Sequence, residues 1–86
     1  MRLDRFLSAA RFFKSRTLAG EAVSASMVYV DGFLAKPSKE IKPGSVIEID
    51  TIAFYKKIEV MEIPSKNFSK KSAPALYRIL QERAKV

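Results

Sequence analysis

Apolar positions follow a helical period at the start of the chain, alternate through its middle, and return to a helical period near its end. Leu3, Phe6, Leu7 and Ala10 stand at i, i+3, i+4 and i+7, which is one face of a first helix. Asp4 falls in its first turn, where a carboxylate suits the positive end of the helix dipole. Arg2 and Arg5 fall off the apolar stripe. Ser15 is placed to cap a second helix. Its apolar face is Leu18, Ala19, Ala22 and Val23, and the alanines permit a close approach to the first helix. Phe12 and Phe13 lie in the joint and wedge the pair together. The second helix is expected to fade near residues 24–26.

The period then becomes two. Val28 and Val30 point one way and Tyr29 the other, as in a half-buried strand. Asp31-Gly32 reads as a tight hairpin turn that needs positive φ, and Phe33 and Leu34 begin the return strand. Residues 35–42 are basic and irregular and contain Pro37, and Pro43-Gly44 is a second turn signal. Residues 46–50 read as a strand with Ile47 and Ile49 inward. Residues 55–63 read as another, with apolar residues in both phases, so either a bulge or burial on both faces is implied. Residues 64–71 are a polar, basic loop. Ser72 caps an expected last helix with Pro74 in its first turn and Ala73, Leu76, Tyr77 and Leu80 on its apolar face.

Composition narrows the chemistry. At 86 residues the chain is expected to be one domain, 1–86, with a small core. A hydrophobic share of 48% and a charged share of 29% argue against general disorder. The net charge of +7 points to polyanionic partners, nucleic acid first and an anionic membrane surface second. Cysteine and histidine are both absent, which excludes disulfides, thiolate chemistry, Cys/His zinc sites and any imidazole base. Asp4, Glu21, Asp31 and Glu40 are scattered over unrelated elements, and no glycine pattern cradles a phosphate or dinucleotide. No catalytic residue, metal or cofactor is therefore expected. The uncharged run at residues 6–10 is too short for a signal h-region, and nothing approaches a membrane span, so a cytoplasmic chain without membrane attachment is expected.

The first twenty residues carry Arg2, Arg5, Arg11, Lys14 and Arg16 against one acid, Asp4. Arg16 sits in the first turn of the second helix, where a cation opposes the dipole. Lys14 precedes the cap, and Arg11 ends the preceding helix. A phosphate at that helix N-terminus would accept from its free amides and pair with the guanidinium forks. The competing arrangement has Arg11 paired with Asp4 or Glu21 and the other cations solvated. Lys36, Lys39 and Lys42 form a second basic group. Lys56-Lys57 and Lys66, Lys70 and Lys71 read more simply as solubilising charges. Tyr29 is the best placed aromatic for stacking on a base, against packing on a neighbouring element, and Phe12 and Phe13 read as core.

The runs Arg2-Leu3-Asp4-x-Phe6-Leu7, Ala10-Arg11-x-x-Lys14-Ser15-Arg16-x-Leu18-Ala19, Val28-x-Val30-Asp31-Gly32, Lys36-Pro37-Ser38 and Pro43-Gly44 resemble the RNA-binding domain named after ribosomal small-subunit protein four. The match covers about residues 1–50. The whole chain resembles the stand-alone members, the heat-shock-fifteen and RqcP ribosome quality-control family. The resemblance implies an α+β fold: an N-terminal helical hairpin on a small curved antiparallel sheet, here with the C-terminal helix and a strand in 55–86. It also implies a monomeric factor, not an enzyme, that binds large-subunit ribosomal RNA and peptidyl-tRNA on the large ribosomal subunit after a stall. The expected RNA-binding set is Arg2, Arg5, Arg11, Lys14, Ser15, Arg16, Thr17, Lys36 and Lys39. Two positions depart from the family pattern: Ser26 stands where glycine is usual, and Asp31 where asparagine is usual. Other readings stay open: the RNA-targeting module of an RNA-modifying enzyme, a ribosome assembly factor, or an anionic-membrane binder.

Overall fold

The computed structural model describes residues 1–63 and 76–85. Helix α1 spans Leu3–Ala9 and helix α2 spans Arg16–Ser24. Five strands follow: β1 Val28–Val30, β2 Phe33–Leu34, β3 Val46–Asp50, β4 Phe54–Val60 and β5 Tyr77–Ala84. They form one antiparallel sheet in the order β2-β1-β3-β4-β5. The helices cover one face of it. Leu3, Phe6, Leu7 and Ala10 from α1 and its cap, with Ala19 and Val23 from α2, share a buried core with Val28, Val30, Ile47, Ile49, Ile58 and Val60. Each large side chain buried there contributes about 1.5–3 kcal/mol, so the helical hairpin is held rigidly on the sheet. Leu18 is the exception to the expected apolar face of α2 and stays 45% exposed, because Ala19, Ala22 and Val23 make the buried face.

Both helices end in the same way. The amide of Arg11 donates to Ser8 O and that of Phe12 to Leu7 O, while the amides of Ser26 and Met27 donate to Val23 O and Ala22 O. These are paired Schellman closures, with Arg11 (φ 67) and Ser26 (φ 65) in the left-handed position that glycine usually takes. The bend after α2 therefore keeps its left-handed form with serine in it. In the β1–β2 turn both central residues, Asp31 (φ 53) and Gly32 (φ 87), are left-handed, as a type I′ hairpin requires. The Asp31 carboxylate accepts from the Val46 amide at 3.0 Å, a bond that an asparagine carbonyl would make equally well.

The start of α1 has no side-chain cap. The irregular basic stretch supplies the acceptors instead: Leu3 N–H donates to Lys39 O at 2.8 Å and Asp4 N–H to Pro37 O at 3.1 Å. Ile41, in the same stretch, is fully buried and donates its amide to Met1 O. The loop that carries Lys36 and Lys39 is thereby tied to the amino end of the chain.

The last helix is corrected over the part that can be seen. Ser72, Ala73 and Pro74 lie outside the described residues, as do Lys66, Lys70 and Lys71, but Tyr77 and Leu80 belong to strand β5. Tyr77 pairs with Val60 and Ile79 with Ile58. The backbone of β4 offers a row of donors and acceptors, and satisfying it outweighs the helical spacing of Leu76, Tyr77 and Leu80. The ladder does contain a bulge, but it lies in β5 and not in the 55–63 segment where the alternation suggested one: Lys57 pairs with Gln81 and Ile58 with Ile79, leaving Leu80 as the extra residue.

Candidate nucleic-acid interface

Asp4 is a buried acid, and its neighbours explain how that is tolerated. One carboxylate oxygen accepts from the Arg5 amide at 2.7 Å. The other lies 3.2 Å from Arg2 Nη2 and 3.5 Å from Arg16 Nε. Asp4 can meet both because Arg2 sits just before α1 and Arg16 opens α2, and the core packs these helices together. The carboxylate screens the repulsion between the two guanidinium groups and fixes where they stand. Both arginine side chains stay about half exposed, at 50% and 51%, so most of their donors face outward. The cluster carries a net positive charge and has a forked donor geometry suited to phosphate.

The sequence pointed to a ring of Arg11, Lys14 and Arg16 around the start of α2. In the structure Arg16 reaches back to Asp4, so the tension between its charge and the helix dipole is already partly relieved inside the protein. Arg11 pairs with neither Asp4 nor Glu21. Ser15 caps α2 as expected, its hydroxyl accepting from the Leu18 amide at 3.1 Å, and the amides of Arg16 and Thr17 have no backbone acceptor among the described residues. Arg11 and Lys14 stand exposed in the joint, and Arg5 and Thr17 are exposed on their helices. Lys36 and Lys39 are exposed on the loop that caps α1. Arg5, Arg11, Lys14, Lys36 and Lys39 form no ion pair with any described residue.

The sheet is balanced very differently. Arg78 pairs with Glu59, Lys85 with Asp50, and Lys56 with Glu82 at 3.9 Å. Lys56 also lies over the rings of Phe12 and Phe54, at 5.7 and 5.3 Å, and Arg83 over that of Tyr55 at 5.4 Å. The Tyr55 hydroxyl donates to the Glu48 carboxylate at 2.7 Å. That bond, with burial and the carboxylate charge behind it, holds the phenol's pKa above its ordinary value. Tyr29 shares a cross-strand position with Glu48, on the sheet face turned away from the helices and from the Arg2–Asp4–Arg16 cluster. Among the described residues, most of the cations without an ion-pair partner thus stand on the hairpin and its capping loop.

Sequence reasoning noticed Asp4 only as a dipole partner and missed its role as the anchor of two arginines. A single acid among five cations was the available signal. The carbonyl caps from Pro37 and Lys39 left no signal in residue type.

Residues 1–47 match the family model described as S4 domain. The RQC P-site tRNA stabilizing factor of Bacillus subtilis is 37% identical over 84 residues, covering 95% of this chain and 94% of its own. That of Helicobacter pylori is 36% identical over 72 residues, covering 83% of this chain and 86% of its own. Among solved structures, the trimeric Heat Shock Protein 15 of Vibrio cholerae superposes with a TM-score of 0.82 at 37% identity, covering 92% of this chain and 80% of that one.

Proposed function

The chain belongs to the S4-domain family, together with the RQC P-site tRNA stabilizing factors and Heat Shock Protein 15, and on that premise we propose that it is an RNA-binding factor of ribosome quality control. It binds ribosomal RNA of the large subunit and the peptidyl-tRNA left there after a stall, and it steadies the tRNA while the nascent chain is dealt with. Its role is binding and not catalysis, exerted in the cytoplasm by a single copy. No helix among the described residues is long and apolar enough to cross a membrane.

The observation that carries this reading is the Arg2–Asp4–Arg16 cluster: two half-exposed guanidinium groups fixed by one buried carboxylate. Phosphate binding there needs little reorganisation, since Asp4 already draws both guanidinium groups together. Arg5, Arg11, Lys14, Lys36 and Lys39 extend the cationic surface, and Ser15 and Thr17 shape the helix end that meets the backbone. The test is affinity capture of the tagged chain from a nuclease-free lysate, followed by identification of the ribosomal particle and RNA retained. Large subunits carrying tRNA are expected with the unaltered chain, and an Arg16→Ala variant that keeps its fold should lose most of them. Equal recovery by both would remove the cluster from the mechanism.

A further inference from the structure

We infer that the groove beside β2 receives an unpaired nucleobase stacked on Phe33, from the same RNA whose phosphates the hairpin holds; this rests on the RNA-binding reading above. Phe33 is 77% exposed, and it is the one exposed aromatic among the described residues. Its ring is not part of the buried core formed by the described residues. Its cross-strand partner is the buried Val30, so it lies on the side of the sheet that carries the helices, unlike Tyr29.

The groove has a volume of about 590 Å³, and its lining combines the apolar Val30, Phe33, Leu34 and Ala35 with the polar and cationic Lys36, Ser38 and Lys39. A nucleotide combines a flat apolar ring with an anionic phosphate, and the groove sets those two chemistries side by side. The acid at its edge, Asp31, is engaged with the Val46 amide. The loop that forms the basic wall also caps α1 through Pro37 O and Lys39 O, next to Arg2 and Asp4. A strand bound at the Arg2–Asp4–Arg16 cluster can therefore present a neighbouring base to Phe33. The other occupant to weigh is a second copy of the chain paired along the edge of β2. That edge is only two residues long, and very short edge strands are one way native sheets discourage such pairing.

The test is a fluorescence-anisotropy titration of the full chain with two labelled RNAs, a stem-loop with an unpaired loop and the same stem as a blunt duplex. Phe33→Ala should weaken stem-loop binding about 5- to 150-fold and leave duplex binding unchanged. Phe33→Tyr should retain the affinity. Thermal unfolding of each variant verifies the fold, and Arg16→Ala should weaken binding to both RNAs. Unchanged stem-loop binding by Phe33→Ala, alongside a loss with Arg16→Ala, overturns the base site and leaves the RNA reading standing. A dimer in light scattering that Phe33→Ala dissolves, with RNA binding unchanged, also overturns it in favour of edge pairing. Failure of the unaltered chain to bind either RNA overturns both readings.

Discussion

At the scale of single residues, Asp4 makes a prediction whose sign separates two accounts of RNA binding. If affinity followed net charge alone, Asp4→Asn would add one positive unit to the +7 chain and tighten binding. If affinity depends on where the guanidinium groups are held, the same change frees Arg2 and Arg16 to repel each other and weakens binding. The geometry predicts the second outcome, a loss of about tenfold in affinity for the large subunit, measured by sedimentation or anisotropy. Tyr55 gives a prediction on the opposite face. Its folded pKa is raised, chiefly by the hydrogen bond to Glu48. As pH climbs past the unfolded value of about 10, the unfolded chain gives up this proton first. The Tyr55 contribution to stability is therefore complete below that pH and is lost as pH rises through the folded value. Unfolding temperatures measured across that range should fall more steeply for the native chain than for Tyr55→Phe. Neither property was legible in the sequence, because Asp4 and Arg16 are joined only by the packing of two helices, and Glu48 and Tyr55 only by strand register.

At the scale of elements, the two helix ends tie stability to function. Arg11 and Ser26 both occupy left-handed positions, at about 1–2 kcal/mol each relative to a residue without a Cβ, offset in part by the entropy of glycine in the unfolded chain. Ser26→Gly should raise stability by about 0.5–1 kcal/mol in chemical denaturation and leave RNA binding alone. Arg11→Gly should raise stability by a similar amount yet weaken RNA binding, since it removes an exposed cation that no described acid neutralises. If Arg11→Gly binds RNA normally, Arg11 lies outside the interface. Local elements were readable from residue type: the apolar stripe of α1, the Ser15 cap of α2, and the Asp31-Gly32 hairpin each follow from chemistry within a few residues. Strand β5 was not readable, because Leu76, Tyr77 and Leu80 fit a helix as well as a strand, and what decides between them is the open edge of β4, far away in sequence.

At the scale of the whole molecule, charge is sorted by surface. Three acids of the sheet are spent on its own cations, Glu59 with Arg78, Asp50 with Lys85 and Glu82 with Lys56, while five cations in the first sixteen residues share only Asp4. The excess was plain in the sequence. That most of the unpaired cations among the described residues stand on the hairpin and the loop that caps α1 was not, since the placing of that loop depends on carbonyl bonds from Pro37 and Lys39. The central claim is that this surface grips RNA phosphates through the paired arginines. It is tested most directly by the affinity of the chain for large ribosomal subunits measured across salt concentrations. With four or five phosphates engaged, the log–log slope should be near about −3 to −4, and Arg16→Ala should make it shallower by about 0.7–0.9. A slope near zero, or the same slope with and without Arg16, would contradict the account.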